Sequence, residues 1–225
     1  MTDAKAAGAA LIKMQAPQNG DPAGAGYYAA DQTTREAGFA LRHPVAAWHI
    51  GTVRSGSQNI STRAVRFSTN DLGLESRDSR EGSEVNAFRH ALWQAKITEE
   101  FGEQIAHEAG NAHESNPFAI GGSNRKVTNF KTESEADESA DLRNNEIGRG
   151  IGSANDGMEM RELSLEVLSE FHKNGLWVSE EQEDGTHSVV KRRISTEKYE
   201  KARRRLLELN QNGYDPVQQA SREAE

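Results

Sequence analysis

NAFRHALWQAKITEEFGEQIAHEAGNAHE (residues 86–114) and ADLRNNEIGRGIG (residues 140–152) decide how this chain folds. In the first stretch, two apolar stripes repeat at helical spacing, Val85/Phe88/Leu92/Ala95 and Trp93/Ile97/Phe101. A helix apolar over so wide an arc is buried on most of its sides. Ser83 supplies a cap and Glu84 favours the positive end of the dipole, so this helix starts near residue 83 and stops at Gly102. A further helix follows over 103–114, and another over 135–150.

These buried helices carry polar groups. Asn86 and His90 are four residues apart and share a face with Trp93 and Ile97. His113 follows Ala106 and Ala109, whose small side chains let a neighbouring helix come close. Continued as a helix, Glu114 points roughly 100° away from His113. Asp141, Asn144, Asn145 and Gly148 fall within two turns, and consecutive asparagines are poor helix formers. Arg149 lies one turn beyond Asn145 and suits a carboxylate or a substrate anion. Burying imidazoles and carboxylates is costly unless they are paired or hold a metal, so their convergence marks a site.

Two chemistries fit it. In one, His90, His113 and Asp141 hold a divalent metal ion that activates a water, with Glu114 as general base and His113 and Asp141 also in the catalytic group. Asn86, Asn144, Asn145 and Arg149 then bind substrate. In the other there is no metal, and Glu114 pairs with Asp141 or Glu84 as glycoside hydrolysis requires. The bland alternative is a buried polar network that fixes helix register.

The rest of the chain bounds these readings. At 225 residues it makes one domain with tails, and its mean hydropathy of −0.81 puts the polar excess in tails and loops. There are no cysteines, which excludes disulfides, thiolate metal sites and cysteine nucleophiles. A net charge of −8 argues against nucleic acid as a partner. Eight basic residues against two acidic ones over 191–205 form a solvated helix face or a contact for phosphate or lipid headgroups. Residues 1–26, rich in Ala, Gly and Pro, read as a flexible arm; they hold no basic region leading into a long apolar core, so no cleaved signal is expected. Residues 27–42 and 44–54 read as helices, and 55–74 as a loop with one short ordered segment at 64–67. The stretch 115–134 reads as a mobile loop, 158–172 as a helix, and the segments flanking Asp184-Gly185 as a β-hairpin. A helix over 196–212 closes the domain before a polar tail, 214–225. The predicted fold is thus mainly α, a compact helical domain over 27–213 with six to seven helices and one C-terminal hairpin.

The ordered strings RHALW, NAHE and DLRNNEIGR resemble the signature of an uncharacterised bacterial family of secreted and polymorphic-toxin domains, including cargo of type VI secretion systems. The likeness covers residues 83–152, a third of the chain. It implies an antibacterial effector made in the cytoplasm and exported without a signal peptide. Its implied partners are an envelope substrate in the target's periplasm, a cognate immunity protein and a secretion-system component. With the polar cluster, it favours an envelope hydrolase acting on peptidoglycan or on a phosphate-bearing lipid. The competing class is a non-enzymatic adaptor, immunity-type binder or pore-forming module.

Overall fold

The computed structural model describes residues 31–76, 82–120 and 126–223. The expected arm at 1–26 lies outside the described residues. Nine helices and a three-stranded antiparallel sheet are described, and the fold is mainly α as predicted. The order is α1 (Gln32–Arg42), α2 (Pro44–Ile50), α3 (Ile60–Ser68), α4 (Glu84–Phe101), α5 (Glu103–His113), β1 (Asn129–Phe130), α6 (Glu133–Ala154), α7 (Met160–Lys173), β2 (Leu176–Glu181), β3 (His187–Arg192), α8 (Thr196–Glu208) and α9 (Pro216–Glu223). None of the described helices is long and apolar enough to cross a membrane.

The central helix α4 is capped by Ser83, whose hydroxyl accepts from the Asn86 N–H, and ends at Gly102 in the left-handed region. Around it pack α3, α5, α6, α7 and β2. Phe67, Phe88, Leu92, Ile97, Leu168 and Phe171 are fully buried in the core they share. The β2–β3 hairpin forms where alternating residues flank Asp184-Gly185, and β1 adds a third strand with Phe130 opposite His187.

Helices α4 and α6 run parallel, and this pair positions the site. Three side-chain contacts join them at a constant offset of 55 residues: Asn86 with Asp141, His90 with Asn145, and Gln94 with Arg149. Each rung is one turn from the next, since the members are four apart on both helices. The close approach comes from glycine. A Cβ on Gly148 would stand 2.2 Å from the Ala91 carbonyl oxygen, and one on Gly152 would stand 2.3 Å from that of Ala95.

Several boundaries differ from the sequence reading. The segment read as a loop with one short ordered piece at 64–67 holds a longer helix, α3, capped by the Asn59 side chain, with Ile60, Ala64 and Phe67 turned inward. Helix α2 ends at Ile50 rather than near residue 54, because Gly51 adopts positive φ. Helix α6 begins at Glu133, capped by Thr132, and runs a turn past the predicted end. The polar tail carries α9, tied to the body by Tyr214, whose ring lies against the guanidinium groups of both Arg66 and Arg222. In the basic stretch, four of eight cations pair with carboxylates: Arg192 with Glu75 and Glu180, Lys198 with Glu84, Lys201 with Asp71, and Arg205 with Glu208 and Asp215.

Asn144 has a structural task. Its amide accepts from the Trp177 N–H at 2.9 Å and donates to the Trp177 carbonyl at 2.8 Å, pinning β2 to α6. The neighbouring Arg143 lies over the Trp177 ring at 4.7 Å. Asn144→Ala strands both backbone groups, so a loss of about 2–4 kcal/mol is expected in denaturant unfolding. An unchanged midpoint would remove this role.

Candidate functional site

The site is built from α4, α6 and the end of α5. His90 projects from α4 and Asp141 from α6, with Nε2 3.3 Å from Oδ2. Glu114 follows the last residue of α5. Its backbone is extended (φ −78°, ψ 146°), so the chain leaves the helical path and brings the carboxylate inward. Arg35 of α1, itself buried, steadies that bend by donating to the backbone carbonyls of Glu114 and Ser115. Glu114 Oε1 lies 3.8 Å from His90 Nδ1. The His90, Glu114 and Asp141 side chains each keep about 8% of their surface exposed, so the cluster sits just below the surface rather than deep in the core.

The amides around this group set its protons. Asn86 Nδ2 donates to Asp141 Oδ1 at 2.8 Å and to Asp137 Oδ1 at 3.0 Å. Asn145 Nδ2 donates to Glu114 Oε1 at 3.4 Å, which leaves its Oδ1 to face His90 Nδ1 at 3.3 Å. That oxygen can only accept, so the network assigns the imidazole proton to Nδ1 and leaves the Nε2 lone pair facing Asp141.

Burial pushes the Asp141 carboxyl well above the usual carboxylate range, and the charges of Asp137 and Glu114 push the same way. Burial also pushes Glu114 up to about 7, against the opposing pull of His113. It holds the His90 imidazole well below its ordinary value, with Arg89 and His113 adding to the effect. Although His90 and Asp141 are at ion-pair distance, both shifts favour a neutral acid donating to a neutral imidazole over separated charges in a poorly solvated spot.

One nitrogen and two carboxylate oxygens thus converge. One ligand atom from each of His90, Glu114 and Asp141 lies within 4.8 Å of the others. Tetrahedral ligands about 2.1 Å from an ion stand about 3.4 Å apart. Asp141 already faces Nε2, but Glu114 approaches His90 on the Nδ1 side, so its carboxylate would have to swing toward Nε2 for the group to hold a divalent cation. This corrects the predicted ligand set, because Glu114 takes the place assigned to His113. The His113 side chain is half exposed and faces Glu36 of α1 at 3.4 Å. Its ring centroid is 6.2 Å from that of His90 and 5.5 Å from that of Trp93, which places it at the rim. Partial burial lowers its basicity, but the Glu36 contact and the Glu114 charge raise it further, for a net upward shift.

Of the residues predicted to bind substrate, Asn86 and Asn145 are brought to the triad as its orienting amides. Asn144 faces β2 instead, and Arg149 is one turn beyond the triad, bonded to Gln94 Oε1 at 3.3 Å. Glu84, the alternative carboxylate partner, is not at the site: it accepts from the Glu75 N–H and from Lys198. The sequence reading missed Asp137, Arg89 and Arg35. Asp137, four residues before Asp141 on the same face, was visible in the spacing; no sequence signal pointed to Arg35. An open groove of about 400 Å³ between α6 and α7, lined by Ile147, Ile151, Glu166 and Glu170 among others, contains none of the triad residues.

Fold and site together define a helical protein with a small sheet and a shallowly buried histidine–dicarboxylate group. The chain belongs to the DUF6973 family, described as a domain of unknown function, whose profile matches residues 37–175. All three triad residues fall inside that match. No curated protein and no solved structure matches the chain.

Proposed function

We propose that this protein is a metal-dependent hydrolase of the bacterial cell envelope, delivered to a target cell as an antibacterial effector. The hydrolase half of this reading is carried by the convergence of His90, Glu114 and Asp141 on one shallow spot. Histidine with carboxylates suits a divalent ion, which would supply a Lewis acid and a water acidic enough to ionise near neutral pH. Asn145 fixes the His90 tautomer so that Nε2 is a ready ligand. Asn86 holds one Asp141 oxygen and leaves the other toward the histidine. Glu114, pushed up to about 7 by burial when no ion is bound, would release that proton as it takes up the ion and act as a carboxylate ligand. His113, at the rim, would meet substrate rather than the ion, a role its half-exposed side chain supports.

The delivery half is supported by the ordered RHALW, NAHE and DLRNNEIGR strings and their resemblance to secreted-toxin domains. Its partners would be peptidoglycan or a phosphate-bearing lipid, a cognate immunity protein and a component of the secretion machinery. Expression in a test bacterium, directed to the cytoplasm or to the periplasm, tests this. Periplasmic wild type is expected to kill and periplasmic Asp141→Asn to spare the cells. If neither location kills, the toxin reading is wrong; killing confined to the cytoplasm moves the target inside the cell.

A second reading rests on the three-rung polar ladder between α4 and α6, which a non-enzymatic adaptor, binder or pore-forming module could keep for register alone. Asp141→Asn separates the two. An enzyme loses activity by orders of magnitude while its thermal midpoint holds or rises, whereas a purely structural network loses stability first.

A further inference from the structure

Arg89 neighbours the triad and its charge bears on His90, Asp141 and His113. Three carboxylates stand in the same cluster: Asp137, Asp141 and Glu114. A guanidinium placed only to neutralise them would be expected to fork onto one of them. Among the described residues it does not. Its single hydrogen bond goes to the amide oxygen of Asn86, and the carboxylates take theirs from Asn86 Nδ2, the Gly82 N–H and Asn145 Nδ2. Four of its five N–H donors are therefore uncommitted there. The group is only partly buried and lies on α4 one turn from Trp93, whose ring meets that of the half-exposed His113 at a tilt of 51°. A permanent cation bonded to Asn86, which itself holds Asp141, and a rim imidazole 6.2 Å from the His90 ring thus flank the candidate metal centre.

We propose that Arg89 is the anion-binding residue of this site and that the substrate group it takes, together with a divalent ion on His90, Glu114 and Asp141, is a phosphoryl group. This deepens the hydrolase reading and rests on it. A tetrahedral phosphoryl can give one oxygen to the ion and others to the guanidinium fork, and together they counter the charge that develops during transfer to water. The surrounding electrostatics add a condition. Without the ion, the Asp137 carboxylate and the ionised share of Glu114 oppose an anion beside Arg89; a bound ion offsets the carboxylate charge and offers the anion a second cation. Cation and phosphoryl group must therefore bind cooperatively, each tightening the other by the same factor.

Arg89 then has effects of opposite sign on the two ligands. It attracts the anion but repels the ion. Arg89→Gln keeps a donor for the Asn86 oxygen and removes the charge. Calorimetry of the full chain, first with Mn²⁺ and then with inorganic phosphate, reads both effects. In the wild type, phosphate is expected to bind only after Mn²⁺. In Arg89→Gln, phosphate affinity should drop about tenfold or more while Mn²⁺ affinity rises a few-fold. Arg89→Lys, which keeps the charge and loses the fork, should fall between them, and circular dichroism checks that each variant is folded. A purely structural arginine predicts that both affinities fall together, and that result overturns the assignment, as does phosphate binding without Mn²⁺. Acetate serves as the carboxylate probe, and equal Arg89 dependence for acetate would replace the phosphoryl group by a carboxylate. Glycerol 3-phosphate binding more tightly than inorganic phosphate would place the phosphoryl on an ester such as a lipid headgroup; the reverse order would place it on free phosphate. Mn²⁺ uptake without coupled phosphate binding removes this inference and leaves the metal site standing, whereas no Mn²⁺ uptake removes both.

Discussion

Replacing Gly148 with alanine is expected to destabilise the protein by about 4 kcal/mol, while the same change two residues on, at Gly150, should stabilise it by about 0.5–1 kcal/mol. Helix propensity gives both substitutions the same favourable sign, since alanine outranks glycine in a helix interior by about 1 kcal/mol. Packing separates them. The new Cβ at position 148 meets the Ala91 carbonyl oxygen at 2.2 Å and Gln94 Cβ at 2.9 Å, whereas at position 150 nothing stands within 4 Å. Backbone cannot move aside as a flexible side chain can, so α4 and α6 must part. Overpacking alone costs about 1–3 kcal/mol. Parting also stretches the flanking rungs, His90 with Asn145 and Gln94 with Arg149, both already at 3.3 Å. Each buried polar group left unpaired adds about 1–3 kcal/mol. Denaturant midpoints of the two variants measure the difference directly. Equal shifts in the same direction would mean that the helices are not held at this separation.

A divalent ion should raise the thermal midpoint of the wild type by roughly 5–10 °C at a hundredfold excess over its dissociation constant, and Glu114→Gln should abolish that rise. The same variant should behave differently from wild type when no ion is present, and the sign follows from the proton balance. The folded-state Glu114 pKa is raised from about 4.5 to about 7, so the folded protein binds more protons than the unfolded chain between those values. Its contribution is therefore favourable at low pH and is lost as pH climbs through 7, where folding must bury an ionised carboxylate. His90, held below its ordinary value, works in the opposite direction: stability falls as pH drops below about 6.5. Asp141, raised in the same way as Glu114, adds to the loss on the alkaline side, so wild-type stability without the ion should be greater near pH 5 than at pH 8. Glu114→Gln leaves no ionisable group at position 114, so its unfolding free energy should exceed that of the wild type by a few kcal/mol at pH 8, and the gap should close toward pH 5. Metal-dependent stabilisation in both proteins would exclude Glu114 as a ligand. A gap that does not vary with pH would mean that its carboxylate is not held in the protonated form.

Much of the architecture was legible because local signals agreed with each other. Ser83 and Gly102 bracket α4 as caps should, and Asp184-Gly185 sits in the hairpin connection. The foreshortened helix α3 shows how composition misleads. Its serines and threonines suggested a loop with one short ordered piece, yet Asn59 caps it and Ile60, Ala64 and Phe67 fall on one buried face. The site was legible as a set of helices but not as a set of ligands. Helical-wheel reasoning carried Glu114 away from His113, and it fails one residue past the end of α5, where the backbone turns extended and the carboxylate swings inward while the imidazole goes to the rim. That α4 and α6 converge was legible from His90 and Asp141, but their parallel direction and their offset were not, since nothing local announces how a partner helix will lie along a Gly148/Gly152 face.

That fixed offset leaves a trace that can be sought in sequences alone. The rungs tie positions 86 and 141, 90 and 145, and 94 and 149, so a change on one helix that alters donor or acceptor character strands its partner on the other. Across members of the family, these positions should therefore vary as couples, 55 residues apart in this chain, with insertions between the helices changing the interval for all three couples by the same number. Substitution at only one member of a couple would be purged together with the register it breaks. The ladder would then serve as an evolutionary ruler, dating when relatives last shared the same way of laying α6 along α4.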